Sequence, residues 1–177
     1  MGGKLNQGLV QIYTGEGKGK TTAALGLALR ALGRGLKVFM LQFLKGEETG
    51  ELHAGRHFGD NFVIEQTGMP GFIRKSKVEA ADALRAKEAL ARAKVILKDG
   101  DYDLVILDEI NVALYFELIS VHEVISVLQA RAPHVEVVLT GRYAPPELVA
   151  MADLVTEMKN VKHYFHAGVA AREGIES

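Results

Sequence analysis

The sequence of 177 residues contains no cysteine, which excludes disulfide bonds, thiolate metal ligands and cysteine nucleophiles. The chain also lacks an excess of charge of either sign, because 21 Lys and Arg residues nearly balance 22 Asp and Glu residues. The formal net charge of −1 argues against a general nucleic-acid-binding surface, which usually carries a basic excess. No apolar run is long enough to cross a bilayer, and the start of the chain lacks the apolar region of a signal peptide. We therefore expect a cytoplasmic protein with neither a nucleic-acid nor a membrane partner.

The remaining composition is that of an ordinary globular protein. Apolar residues make up 48% of the chain and charged residues 24%. A chain of this length is expected to form one domain with a substantial core. We predict a flexible N-terminal arm at residues 1–8 and a single domain at residues 9–177.

A glycine-rich stretch follows the first predicted strand (residues 9–13) and precedes a predicted helix at residues 20–32. The phosphate-loop pattern is Gly, four residues, Gly-Lys-Ser/Thr, and Gly19-Lys20-Thr21 fits its end. Thr14 occupies the position of the opening glycine, so the pattern is met with one departure. The alternative is a flexible glycine turn with solvated lysines. The strand before the stretch and the apolar helix after it favour the phosphate loop.

The residue types in this loop suit a polyphosphate ligand. Its glycines let several backbone N–H groups converge, and the start of the helix adds unpaired N–H groups and a positive dipole end. Lys20 supplies a positive charge, and Thr21 or Thr22 can place a hydroxyl on a bound Mg²⁺. Lys18 is an additional cation that an ordinary phosphate loop does not need.

Further apolar strands alternate with helices along the chain. We predict strands at residues 37–43, 62–66, 102–110, 135–140 and 152–158. We predict helices at residues 77–98, 120–131 and 145–151, the first opened by a capping box from Ser76 to Glu79. This order predicts an α/β fold of the phosphate-loop NTPase type, a mostly parallel central sheet with helices on both faces.

The two segments around the third strand leave alternatives open. Residues 44–60 are predicted to form a loop with a short helix at residues 52–58. His53 and His57 have the spacing of two metal ligands on a helix, but no third ligand is evident, which favours surface or packing histidines. Residues 67–75 form a loop whose Phe72 either contacts a ligand or fills the core.

Acidic residues end the buried strand at residues 102–110. Asp108 is suited to hold Mg²⁺, directly or through water, and Glu109 could contact the metal, a ribose hydroxyl or a water molecule. The alternative is that Asp108 only caps a helix, and the presence of a phosphate loop in the same chain disfavours it. Arg142 follows the strand at residues 135–140 and leaves the same sheet edge, where it either pairs with phosphates or lies free on the surface.

These motifs predict a nucleoside triphosphate and Mg²⁺, but they do not identify the bond that breaks. An ATPase or kinase that cleaves the β–γ bond, a transferase, and a nucleotide-binding protein without turnover all need this cradle.

The motifs as a set resemble those of the phosphate-loop type of ATP:corrinoid (cob(I)alamin) adenosyltransferase. The resemblance covers nearly the whole chain in order, and it rests on TGEGKGKTTAA (14–24), LQFLKG (41–46), LDEIN (107–111), TGRYAP (140–145), ADLVTEM (152–158) and GVAAREGIE (168–176). It implies that Co(I) of a reduced corrinoid attacks the ribose 5′ carbon of ATP and that inorganic triphosphate leaves. It also implies Mg²⁺ or Mn²⁺ with the ATP, a homodimer and a flavin-type reductant as partner.

The resemblance also implies roles for single residues. Lys20, Glu109 and Arg142 would act in catalysis, and Thr21 and Asp108 would serve the metal. The ATP-binding set would be Thr14, Gly15, Glu16, Gly17, Lys18, Gly19, Lys20, Thr21 and Thr22.

One stretch departs from the family pattern. The corrinoid loop of the family often carries Phe-x-Trp, and the matching stretch here is Phe72-Ile73-Arg74. Phe72 can pack on the corrin ring, whereas Arg74 cannot provide the same apolar wedge. The chain contains no tryptophan that could replace it.

Overall fold

Six parallel strands form the central sheet of the computed structural model, which describes residues 5–69 and 78–176. The strand order is β3-β2-β4-β5-β1-β6. The strands are β1 (Val10–Thr14), β2 (Val38–Gln42), β3 (Phe62–Gln66), β4 (Leu104–Asp108), β5 (Glu136–Thr140) and β6 (Leu154–Glu157). The predicted α/β fold with a parallel sheet is therefore confirmed.

Six α-helices and two 3₁₀ helices accompany these strands in the described residues. The α-helices are α1 (Lys20–Leu32), α2 (Gly50–Gly55), α3 (Ala80–Asp99), α4 (Ile110–Tyr115), α5 (Val121–Gln129) and α6 (Pro146–Met151). The 3₁₀ helices span Arg56–Asn61 and Tyr164–Ala167.

Helices cover both faces of the sheet, and β2 shows how the sequence requires this. Its residues are buried along the whole strand, and successive side chains enter opposite layers. Phe39 and Leu41 join the core with α3 and α5, whereas Val38 and Met40 pack with the small residues of α1. An uninterrupted apolar strand of this kind is stable only between two covered faces.

Residues 50–61 form α2 and a 3₁₀ helix where a single short helix at residues 52–58 was predicted, and several strand ends shift by one or two residues. Three further local features differ from the prediction. The fourth strand ends at Asp108, because Glu109 adopts a left-handed conformation (φ 62°) and α4 begins directly after it. Helix α3 begins at Ala80 behind a capping box of Glu79 and Asp82, later than predicted, and Ser76 lies outside the described residues. Gly8, assigned to the arm, is buried and donates its N–H to the carbonyl of Pro133 at 2.8 Å.

None of the helices within residues 5–69 and 78–176 combines the length and the apolar character needed to cross a membrane.

Candidate active site

The carboxyl ends of four neighbouring strands bring polar residues to one edge of the sheet. Thr14 ends β1, Gln42 ends β2, Asp108 ends β4 and Thr140 ends β5. The last three are fully buried. Ligands of open parallel sheets bind outside this edge, so the geometry places a candidate site where the glycine-rich loop also lies.

Contact with the end of β6 fixes the shape of the glycine-rich loop. Gly15 has φ +98°, and a Cβ atom there would lie 2.5 Å from the carbonyl oxygen of Met158. Gly17 has the same carbonyl 2.7 Å from its Cβ position and donates its N–H to it. In the other direction, the N–H of Met158 bonds the carbonyl of Thr14 at 2.8 Å. The loop can follow this path only because these positions carry no side chain.

Lys20 directs its ammonium group into the curve of the loop. It is the first residue of α1, and it is only 8% exposed. Its Nζ donates to the carbonyl of Gly15 at 2.9 Å and to that of Gly17 at 2.7 Å. Burial lowers the pKa of Lys20, and the negative charge of Glu109 offsets part of this effect. The loop therefore encloses a cation beside the N–H groups of a helix start, an arrangement suited to phosphate.

Asp108 accepts four hydrogen bonds from side chains on four different segments. Its Oδ1 receives the hydroxyl of Thr21 at 2.8 Å and that of Thr140 at 2.6 Å. Its Oδ2 receives Nζ of Lys45 at 2.8 Å and Nε2 of Gln42 at 3.2 Å. A fully buried carboxylate is costly unless it is paired and hydrogen-bonded in this way.

Glu109 follows Asp108 but faces a different environment. Its left-handed backbone directs its N–H to the hydroxyl of Thr140 at 3.0 Å. Burial, followed by the charge of Asp108, raises the pKa of Glu109 above its ordinary value. The two adjacent carboxyl groups are therefore suited to different tasks.

Arg142 reaches the glycine-rich loop from the end of β5. Its Nη1 lies 3.4 Å from Oε2 of Glu16, and both side chains are about half exposed (51% and 54%). The positive φ of Gly141 (+126°) turns the chain before Arg142, and a Cβ atom there would lie 3.0 Å from Cβ of Asn111. The guanidinium of Arg142 is thus a half-exposed cation at the rim of the site, available to an anionic ligand.

Lys18 directs its ammonium group out of the loop, away from the carbonyls that hold Lys20. Its Nζ donates to the hydroxyl of Tyr164 at 3.2 Å, to the carbonyl of Ile175 at 2.7 Å and to Glu176 at 3.1 Å. The two loop lysines therefore have separate partners.

The structure brings most of the residues singled out from the sequence to one place. Lys20, Thr21, Asp108, Glu109 and Arg142 lie around the same loop and sheet edge. Phe72 and Arg74 lie outside the described residues.

The sequence analysis did not identify three further residues of the site. Gln42, Lys45 and Thr140 all contact Asp108, although none was assigned a role from the sequence. The available signal was a polar residue at or just after the end of a buried strand.

The histidine pair does not gain a third ligand. In the described part of the chain, no group of three or more His, Cys, Asp or Glu side chains is placed to hold a metal ion. His53 instead lies 3.9 Å from Glu48, at the surface.

Comparison with known proteins gives one consistent family. The model of the family ATP:corrinoid adenosyltransferase BtuR/CobO/CobP matches residues 6–177. The chain is 41% identical to a corrinoid adenosyltransferase of Sinorhizobium sp, covering 96% of this chain and 80% of the relative. It is 40% identical to one of Pseudomonas aeruginosa (96% and 84% covered) and 38% identical to corrinoid adenosyltransferase CobA of Salmonella typhimurium (96% and 86% covered).

A solved structure supports the fold alone. The flagellar accessory protein FlaH of Methanocaldococcus jannaschii superposes with a TM-score of 0.61 at 15% identity, over 88% of this chain and 73% of that one. The family match over nearly the whole chain carries the assignment: this protein belongs to the ATP:corrinoid adenosyltransferase family.

Proposed function

We propose that this protein transfers the 5′-deoxyadenosyl group of ATP to Co(I) of a reduced corrinoid, with release of inorganic triphosphate. The family match supports this transferase activity. The observation that carries the proposal is the loop cation: Nζ of Lys20 lies between the carbonyls of Gly15 and Gly17, next to the contact between Thr21 and Asp108. This arrangement suits a polyphosphate leaving group.

The phosphate loop, residues 14–22, would bind the triphosphate. In the proposed reaction the C5′–O bond of ATP breaks, and all three phosphates leave together as the cobalt–carbon bond forms. Negative charge therefore develops on the side of the α-phosphate, and the ammonium of Lys20 and the loop N–H groups stabilise it. The guanidinium of Arg142 adds a cation at the rim, where it would exchange Glu16 for phosphate oxygens.

The donor set at the end of β4 fits Mg²⁺. The hydroxyl of Thr21 and the carboxylate of Asp108 are the hard oxygen donors that Mg²⁺ prefers, and few protein ligands suffice when triphosphate supplies the others. We assign these two residues to the metal, Mg²⁺ or Mn²⁺, which would supply positive charge to the leaving triphosphate. Lys45 and Gln42 orient the same carboxylate through its second oxygen.

The protein itself need contribute little covalent chemistry. Co(I) is a strong nucleophile, so catalysis rests on holding the ribose 5′ carbon near the corrin and excluding water. Glu109 lies beside the metal residues, and we assign it to the nucleotide site. Phe72 and Arg74 remain assigned to the corrinoid on the basis of resemblance. A homodimer, a flavin-type reductant and a cytoplasmic location belong to the same proposal.

The phosphate product tests the proposal. The protein is incubated with ATP, Mg²⁺ and chemically reduced cobalamin, and the products are separated by ion-exchange chromatography. Triphosphate in equal amount to a light-sensitive adenosylated corrinoid is expected. ADP or orthophosphate as the main product would point to cleavage of the β–γ bond, and tight ATP binding without any product would point to a non-catalytic nucleotide-binding protein.

A further inference from the structure

The end of the chain returns to the phosphate loop. Residues 163–176, here called the C-terminal strap, follow β6 and include the 3₁₀ helix Tyr164–Ala167. Within the described residues, every hydrogen bond that joins the strap to the phosphate loop ends on Lys18. The hydrogen bonds described between the strap and the loop therefore all run through one side chain.

Three groups of the strap surround the ammonium of Lys18. The hydroxyl of Tyr164, the carbonyl of Ile175 and the carboxylate of Glu176 accept its three N–H bonds, at 3.2, 2.7 and 3.1 Å. An ammonium has three donors, so this set uses all of them. Lys18 also lies 5.9 Å from the centre of the Tyr164 ring.

Glu176 is fixed by further contacts inside the strap. It accepts the backbone N–H of Arg172 at 2.6 Å and its guanidinium at 3.1 Å, and it also accepts the hydroxyl of Tyr164. The guanidinium lies 4.9 Å from the centre of the Tyr164 ring. These bonds, first those from Arg172 and then that from Tyr164, hold the pKa of Glu176 far below its ordinary value.

The rest of the strap packs lightly. Phe165 is 68% exposed and Ile175 is 58% exposed. Apolar burial therefore contributes little to holding the strap, and the contacts with Lys18 matter correspondingly more.

The cluster keeps a positive charge beside the loop. Lys18 and Arg172 are cationic and Glu176 is anionic, so the three side chains together carry one net positive charge. The carboxylate thus orients two cations without cancelling both of them, which suits a site for a highly charged anion.

We propose that Tyr164 and Glu176 are positioning residues for adenosyl transfer, which hold Lys18 and bring Arg172 to the phosphate loop so that the loop binds triphosphate more tightly. The proposal rests on the proposed function, because it takes the loop to be the triphosphate site. The strap thereby acts on ATP binding and leaves the reaction of the bound substrates unchanged.

A double-mutant cycle tests this role. K18M, E176Q and the double variant are compared with wild type for KM of ATP, kcat and the dissociation constant of ATP. Each single variant is expected to raise KM and the dissociation constant about 3- to 10-fold with kcat changed less than about 2-fold, as for loss of a charged hydrogen bond. The double variant should be no worse than the weaker-binding single variant, because both remove the same contact. Y164F should shift KM in the same direction.

E173Q is the matched control, since Glu173 is an exposed carboxylate in the same strap. It should behave as wild type. Trypsin cleavage after Lys162 provides a readout independent of activity: it should be faster in K18M and E176Q than in E173Q.

Three results would overturn the positioning role: multiplicative effects of K18M and E176Q, a main effect on kcat, or wild-type KM in E176Q. Each is interpretable only if wild type releases triphosphate. Absence of triphosphate from the wild-type reaction would instead reject the proposed function.

Discussion

The hydroxyl of Thr21 donates a hydrogen bond of 2.8 Å to Oδ1 of Asp108 and so joins the first turn of α1 to the end of β4. Strand β5 lies between β4 and β1 in the sheet, and its Thr140 donates to the same oxygen at 2.6 Å. One carboxylate oxygen therefore joins the first turn of α1, the end of β4 and the end of β5. We expect substitutions around this oxygen to lower metal-dependent turnover.

D108N tests the charge of the buried carboxylate. Asn keeps the shape but loses the charge that orients the ammonium of Lys45 and, in the proposed function, the metal. We expect kcat to fall about 10²- to 10³-fold, the usual cost of losing one preorganised electrostatic contact. The measurement is the rate of adenosylation as a function of Mg²⁺ concentration. Wild-type turnover with an unchanged Mg²⁺ requirement would remove Asp108 from the metal site.

K20A removes the cation enclosed by the loop. The ammonium of Lys20 is nearly buried between two loop carbonyls, whereas Lys18 bonds the end of the chain and Arg142 lies at the rim of the loop. We expect kcat/KM for ATP to fall by about 10³-fold or more. K87A, an exposed lysine of α3, is the control and should keep wild-type kinetics. Full ATP-dependent activity in K20A would contradict the assignment of the loop.

A pair of glycine substitutions separates loop geometry from helix propensity. G15A forces a Cβ atom to 2.5 Å from the carbonyl oxygen of Met158 at φ +98°, so we expect it to destabilise the fold by about 1–3 kcal/mol. Gly26 lies within α1, and apart from the neighbouring helix backbone the space around its Cβ position is open, so G26A should stabilise by about 0.5–1 kcal/mol. Urea unfolding measures both. Equal effects of the two substitutions would mean that the loop tolerates a different path.

E109Q tests the raised pKa of Glu109 through the pH dependence of stability. Burial and the charge of Asp108 raise this pKa above the ordinary 4.5, so folding takes up a proton there. Below pH 4.5 the carboxyl is protonated in both the folded and the unfolded chain. In this range Glu109 makes its largest contribution to the stability of wild type. As the pH rises through the raised pKa, wild type loses that stability, whereas the Gln variant does not.

The expected result is therefore a melting-temperature gain of E109Q over wild type that grows from pH 4 to pH 8. Differential scanning calorimetry at constant ionic strength measures it. A gain that stays constant over this range would show that the Glu109 carboxyl titrates normally.

Local sequence signals were sufficient for several elements. The bounds of α1 and β3 match their predictions, and α6 begins one residue later than predicted. Gly19 before α1 and Pro146 at the start of α6 are residues whose backbone preferences mark a helix start directly. The parallel sheet also followed from apolar strands that alternate with helices.

The contacts around Asp108 could not be predicted in the same way. Gln42 lies opposite Asp108 in the parallel register of β2 and β4, and Lys45 reaches the carboxylate from the loop after β2. Which residues lie opposite one another depends on how the strands pair in the assembled sheet. The spacing of these residues along the chain therefore does not predict their contacts.

The partner of Lys18 was hidden for a related reason. The resemblance implied that this extra loop cation binds ATP, which stays a prediction, and the structure adds contacts of its ammonium with Tyr164 and Glu176. The strap has no periodic pattern, and its contacts span more than 140 residues of sequence. Only the fold brings the two ends of the domain together.

A crystal structure of the protein with ATP and Mg²⁺ tests the central claim most directly. We predict that the triphosphate lies within the curve of residues 14–22, in contact with Nζ of Lys20, and that the metal lies beside Thr21 and Asp108. A triphosphate bound at another surface, with the ammonium of Lys20 still on the carbonyls of Gly15 and Gly17, would contradict it.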